Sequence, residues 1–299
     1  MFKYRIISFP LLLALLAAIV FWPTGGPWLF TAVATLMAAG VCFETAQMLG
    51  GMGMRTEPLS TAFEGGSLFC LFNLFWMLMM NCSDLFLDGG ETGSRFRELL
   101  AVKFLAFPAI LIFLGWFGLL LFSKKQLFLE RWLLSLAVQV AVLFPLALLT
   151  AVYWKCGIVT FAALVLITKA MDTGGYIFGM LSARLLPGGN HKILPKISPK
   201  KSWEGTAGGV LFSVGVALLF WRWGNGGGFP LGWWIAAGIV LGLGSFAGDL
   251  TESALKRTAG VKDSGHIIPG MGGVFDVLDS FIYNGMLFWV LYAAAPAAA

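Results

Sequence analysis

Hydrophobic positions in this sequence run together in blocks. Apolar stretches near twenty residues recur along the whole chain, and a helix needs about 20 residues to cross ~30 Å of hydrocarbon. The blocks predict nine spans, at roughly 6–22, 28–49, 66–82, 101–122, 131–153, 157–181, 205–222, 231–248 and 273–294. The expected fold class is therefore an all-α polytopic membrane protein. Between the blocks, Gly50–Gly66 is too short and polar to cross and reads as a re-entrant or interfacial piece. The 83–100 segment sets Asp84, Asp88, Glu91 and Glu98 against Arg95 and Arg97, the composition of a solvated cap. The Ala/Pro tail after Tyr292 carries no packing signal and is expected to be disordered.

Composition agrees with this reading and orients it. Mean hydropathy is +0.85, and only 12% of residues are charged, the profile of an integral membrane protein. The net charge of +5 is read through topology, because Lys and Arg collect on the cytoplasmic side. With the N-terminus inside, fourteen basic residues fall on that side and five on the other, with Lys169 left within a span. The expected topology thus has a cytoplasmic N-terminus and an outer C-terminus. Lys3 and Arg5 before the run Ile6–Trp22 resemble a secretory leader. However, no small-x-small cleavage site follows, and Phe21-Trp22-Pro23 is an interfacial anchor, so an uncleaved first span is expected. Cys42, Cys70, Cys82 and Cys156 are scattered, with no C-x-x-C and only two histidines, which argues against a zinc site. Cys82 and Cys156 fall near outer helix ends, where free buried thiols are expected rather than a disulfide.

The exception to the apolar pattern is Gly248–Asp279. Five of the chain's 15 acids (Asp249, Glu252, Asp263, Asp276, Asp279) lie within 31 residues there, with Lys256, Arg257 and Lys262 among them. Ionised groups beside lipid are expensive, so such a group of charges marks function. If 248–258 is helical, Asp249, Ser253 and Lys256 share one stripe, flanked by Glu252 and Arg257. Carboxylate and hydroxyl oxygens suit a hard divalent cation, and magnesium in particular is held by one or two carboxylates plus water and phosphates. Asp276 and Asp279 stand at i and i+3 on the last span, and Ser280 and Tyr283 continue that face. The loop Pro269-Gly270-Met271-Gly272-Gly273 has room for a phosphate against backbone N–H groups.

Two upstream segments have matching chemistry. Lys169 and Asp172 precede a Gly pair, which permits close approach of a ligand to the main chain. The run Pro195–Gly205 interleaves Lys196, Lys200 and Lys201 with Ser198 and Ser202 on a proline-stiffened loop, a phosphate-binding composition. Oxygen ligands, phosphate-sized loops and lysines together point to phosphoryl or nucleotidyl transfer. The first half, apart from Glu44, reads as scaffold. The expected division is 1–160, N-terminal scaffold helices, and 161–299, a catalytic transmembrane domain.

These residues resemble the phosphatidate cytidylyltransferase family, the CDP-diacylglycerol synthases. Its signature S-x-x-K-R-x4-K-D-x5-P-G-H-G-G-x-x-D-R-x-D is similar to Ser253, Lys256, Arg257, Lys262, Asp263, Pro269, Gly270, Gly272, Gly273, Asp276 and Asp279. Asp172-Thr173-Gly174 and Ser198-Pro199-Lys200-Lys201-Ser202-Trp203-Glu204-Gly205 look like its D-T-G-A-Y and S-P-K-K-T-W-E-G. The resemblance runs from about 169 to 280. It implies that CTP and phosphatidate give CDP-diacylglycerol and pyrophosphate, with Mg2+ and a second cation (K+ or a second Mg2+). It further implies Asp249, Asp263 and Asp276 as metal ligands and catalytic residues together with Lys256. Asp172, Lys200, Lys201, Ser253, Arg257, Lys262 and Asp279 would bind the nucleotide, its phosphates or the ion's surroundings. Implied too are a homodimer, no nucleic-acid partner, and a bacterial-type inner membrane with the site facing the cytoplasm. Met271 and Val277 depart from the family's His and Arg; attack by an ionised phosphate monoester needs little general-base help, so activity is expected to survive. A CTP-dependent lipid or polyprenol kinase and a non-enzymatic transporter are the alternatives.

Overall fold

The computed structural model describes residues 19, 22, 25–86, 128–187, 189–223, 228–268 and 272–295. The expected span at 101–122, nearly all of that at 6–22, most of the 83–100 cap, Pro269-Gly270-Met271 and the last four residues lie outside the described residues. Regular structure among the described residues is helical: α1 Gly26–Gly51, α2 Pro58–Phe86, α3 Phe128–Val138, a π-helical turn Gln139–Leu143, α4 Phe144–Leu185, α5 Trp203–Trp223, α6 Leu231–Thr258 and α7 Phe275–Ala293. Among the described residues, four stretches are long and apolar enough to cross a membrane: Gly26–Gly51, Leu133–Leu185, Trp203–Trp223 and Leu231–Thr258. The chain is accordingly an integral membrane protein.

Leu133–Leu185 is 53 residues, about 80 Å of helix, far more than the ~30 Å hydrocarbon core. It is interrupted at Gly157, whose φ of 83° and ψ of 170° are not helical. Positive φ is costly for a residue with a Cβ, so a glycine marks the break. This break separates the expected spans at 131–153 and 157–181.

Gly50–Gly66 is not a separate segment between helices. Helix α1 runs on to Gly51, and α2 begins at Pro58, where proline's fixed φ suits a first turn. At its other end α2 continues to Phe86, so residues 83–86 are helix rather than cap. The polar residues that looked like loop are used inside the protein. Ser60 and Ser135 donate to the two oxygens of Glu64 at 2.9 and 2.8 Å, and Gln139 adds a long contact of 3.5 Å.

The chain forms two compact units, Met1–Ala147 with Ser264–Phe275, and Leu148–Asp263 with Asp276–Ala299. In the first, α1 packs along α2, and Arg131 pairs with Glu57. Glu44, fully buried, accepts hydrogen bonds from Ser264 Oγ at 2.9 Å, Val274 N at 3.0 Å and Phe275 N at 2.8 Å. Two of these donors are backbone groups at the start of α7, left without intrahelical partners as at any helix N-terminus.

The second unit joins α4 to α7 through buried polar bonds. Ser213 donates to Ile167 O at 3.0 Å, Ser245 to Thr168 O at 3.1 Å, and Asn284 to Thr168 Oγ1 at 2.8 Å and Leu241 O at 2.9 Å. Interhelical hydrogen bonds of this kind hold helices together in lipid, where the hydrophobic effect supplies little.

Candidate active site

The site is built where α4 and α5 cross. A Cβ on Gly205 would stand 2.9 Å from Gly175 O, and one on Gly209 would stand 2.7 Å from Met171 O. Only the absence of side chains lets these backbones approach, which is why both motifs carry glycine here. Before α5, Ser202 caps the helix by accepting from Gly205 N at 3.2 Å. The loop before it is tied down: Asn190 donates to Gly179 O at 2.8 Å and Ser202 Oγ at 3.2 Å, and Glu204 accepts from His191 N and sits 2.6 Å from His191 Nδ1. Lys192 and Ser202 form a backbone bridge.

The result is a pocket of about 360 Å³, lined by Asp172 from α4, Ser198, Lys200 and Lys201 from the loop, Thr206 from the first turn of α5, and Asp249 from α6. Lys201 Nζ lies 2.5 Å from Asp249 Oδ2 and 4.5 Å over the ring of Phe246. Lys169 Nζ donates to Asp172 Oδ2 at 3.4 Å. Two lysines and the N-terminal turn of α5 give the pocket the character of an anion site.

Asp249 also belongs to a second grouping. Asp249, Glu252 and Asp279 each offer a carboxylate oxygen, all within 4.8 Å of one another. Glu252 is 3% exposed and Asp279 6%. Close packing of α6 on α7 brings them together: a Cβ on Gly248 would stand 2.6 Å from Asp279 O and 2.8 Å from Ser280 Cα. One oxygen of Asp279 accepts from Ser280 N at 2.6 Å and Ser280 Oγ at 3.0 Å. Lys256 Nζ lies 2.8 Å from Asp276 Oδ1 and 2.7 Å from Glu252 Oε1. That lysine therefore bridges the two carboxylates.

Three acidic oxygens facing one another repel unless protons or a cation intervene. Nitrogen and sulfur are absent from the trio, so its chemistry fits a hard divalent ion such as magnesium.

Of the residues expected at the site, Asp172, Lys200, Lys201 and Asp249 line one pocket. Lys256, Asp276 and Asp279 stand at the α6–α7 carboxylates. Ser253 is half-buried on α6, and Arg257 is exposed near its end. Lys262 and Asp263 are exposed in the bend that follows. Gly272 and Gly273 belong with Ser264–Phe275 to the first unit, where Glu44 holds that segment. Glu252 was not among the expected site residues. Its signal was the i, i+3 spacing from Asp249, which puts both acids on one helical face.

Residues 3–295 match the family model described as "Cytidylyltransferase family". The chain is 43% identical over 120 residues to a phosphatidate cytidylyltransferase of Staphylococcus aureus (strain COL), covering 40% of this chain and 43% of that protein. It is 34% identical over 176 residues to a phosphatidate cytidylyltransferase of Mycobacterium leprae, covering 58% of this chain and 51% of the relative. The chain thus spans about half the length of the curated relatives it matches.

Proposed function

Because the chain belongs to the cytidylyltransferase family, we propose that it converts CTP and phosphatidate to CDP-diacylglycerol and pyrophosphate. The observation that carries this reading is Asp249, shared between a lysine-lined pocket and a trio of carboxylates. A phosphate oxygen of phosphatidate attacks the α-phosphorus of CTP. The bond from that phosphorus to the bridging oxygen breaks, and pyrophosphate leaves. The nucleophile arrives ionised, so the chain needs no nucleophilic side chain and no strong base.

Lys200 and Lys201 bind the triphosphate, with the N-terminal turn of α5 contributing its dipole. Asp172 orients Lys169, and Lys256 bridges Glu252 and Asp276. Asp249, Glu252 and Asp279 would hold Mg2+, which when bound neutralises the triphosphate and the leaving pyrophosphate. Asp276 and Asp263 would offer further oxygens to the ion, and Lys262 and Arg257 would meet the nucleotide's phosphates at the α6 end. Ser253 supports the same face, and K+ or another Mg2+ is the second cation.

The full topology under this reading has nine spans, the N-terminus in the cytoplasm and the C-terminus outside. The site faces the cytoplasm across a bacterial-type inner membrane, where CTP is available. Residues 1–160 serve as scaffold and dimer contact, and 161–299 carry catalysis.

Incorporation of label from α-phosphate-labelled CTP into lipid by the purified protein with magnesium tests the reading. Wild type is expected to produce labelled CDP-lipid and Asp249→Ala almost none. A lipid kinase would transfer only the γ-phosphate and leave the α-label in CDP, and a transporter would incorporate neither. Equal incorporation by wild type and Asp249→Ala would overturn the site assignment.

A further inference from the structure

Beside the polar pocket, α4 and α5 leave a second opening. The helices are pinched together at Gly174 and Gly209, where a Cβ on Gly174 would stand 3.0 Å from Gly209 Cα. Beyond the pinch lies a groove of about 620 Å³, lined by Val159, Leu166 and Lys169 on α4 and by Phe212, Val216 and Leu219 on α5. Val159, Leu166, Phe212 and Leu219 are all exposed. On a helix pair of this length and apolarity, that surface meets acyl chains rather than water.

The groove's length selects its occupant. From Val159 to Thr173, both lining residues, α4 advances about 21 Å. One leaflet contributes half of the ~30 Å hydrocarbon core, or about 15 Å. A single extended lipid chain therefore fits, with room at one end for a headgroup. That end is polar. Thr173 and Lys169 are the polar members of an otherwise apolar lining. The Lys169 ammonium has three donors, one of which reaches Asp172 Oδ2 at 3.4 Å, and it lies 4.9 Å from the ring centre of Phe281. Asp172 in turn lines the polar pocket, so the groove's cation is in contact with a wall of the nucleotide site.

We infer that this groove seats an acyl chain of the phosphatidate substrate, with Lys169 receiving its phosphate monoester at the edge of the polar pocket. The inference rests on the cytidylyltransferase reading and assigns the lipid its place within it. An apolar chain and an anionic head match an apolar groove ending in one lysine; a neutral lipid would offer that ammonium no charge.

The test compares dioleoyl- and dihexanoyl-phosphatidate as substrates for the full chain in detergent micelles, with Val216→Trp filling the groove. The ratio of kcat/KM for the long-chain over the short-chain substrate is expected to fall about tenfold, the scale of two methylenes kept from apolar contact. Turnover of the short-chain substrate itself reports that the variant is folded. Lys169→Met is expected to raise the KM for both lipids about tenfold, the loss of one charge-assisted contact.

An unchanged long-to-short ratio in Val216→Trp, with wild type active, overturns the groove and leaves the enzymatic reading standing. If wild type makes no CDP-lipid, the enzymatic reading fails first. Photo-crosslinking then decides the groove: a phosphatidate analogue with its reactive group on the acyl chain should label α4 and α5 between Val159 and Trp223. Labelling elsewhere, or equal labelling by a diacylglycerol analogue, overturns the inference.

Discussion

Glu44 in the first unit and Glu252 in the second are buried to nearly the same degree, 0% and 3% exposed, yet their surroundings differ in kind. Glu44 receives three hydrogen bonds, two of them from backbone N–H groups. Glu64, in the same unit, is similarly supplied by Ser60 and Ser135. Glu252 instead faces Asp249 and Asp279, with Lys256 shared between it and Asp276. A carboxylate surrounded by neutral donors is finished as it stands and holds structure. One surrounded by other carboxylates is short of positive charge, and a cation or a proton completes it. Burial alone therefore does not mark a functional acid in this chain; the identity of its neighbours does.

The comparison can be broken most sharply at the acidic trio. Glu252→Gln keeps shape and removes a charge, and it is expected to lower CDP-lipid synthesis by about a hundredfold or more. The thermal midpoint in detergent should stay level or rise, because one of three like charges is gone. A wild-type rate would place Glu252 with Glu44 among the structural acids.

Glu44→Ala is expected to act the other way. It strips acceptors from three buried donors and should cost about 3 kcal/mol of stability. Thermal unfolding measures this, and an unchanged midpoint would show that the bonds around Glu44 do not hold the fold. A smaller effect should follow from the ion itself. Magnesium at about ten times its Kd should add ~1.4 kcal/mol to wild type by mass action, and nothing to Glu252→Gln. Equal stabilisation of both proteins would move the cation away from the trio. The smallest change is expected where the chain departs from its family: Met271→His and Val277→Arg should each alter activity by no more than about twofold, the scale of a ±0.5 kcal/mol substitution. A gain of tenfold or more would give those positions a chemical role.

Much of this arrangement is legible in residue order. The blocks at 28–49, 205–222 and 231–248 sit within α1, α5 and α6, because continuous apolarity in lipid leaves the backbone no alternative to helix. Lys200, Lys201, Asp172 and Asp249 line one pocket, and each belongs to a short motif whose glycines announce close approach. What escaped depends on contacts between distant segments. Glu252 becomes a partner of Asp279 only because Gly248 lets α6 lie against α7. The polar start of α2 reads as loop until Ser135 and Gln139, more than seventy positions away, supply donors to Glu64. A one-dimensional pattern shows that a charge is costly, but not which partner will offset it.

The bonds around Glu44 also bear on how the protein is made. Its partners Ser264 and Val274 lie 220 and 230 positions downstream. At about 5–20 residues per second, roughly 11 to 44 s of translation separate Glu44 from its first donor. During that interval α1 has left the ribosome carrying an acid without its native partners, and the insertion machinery or a chaperone must shelter it. Chains terminated before Ser264 are then expected to be cleared by membrane quality control, even though the helices made by then are apolar enough to insert.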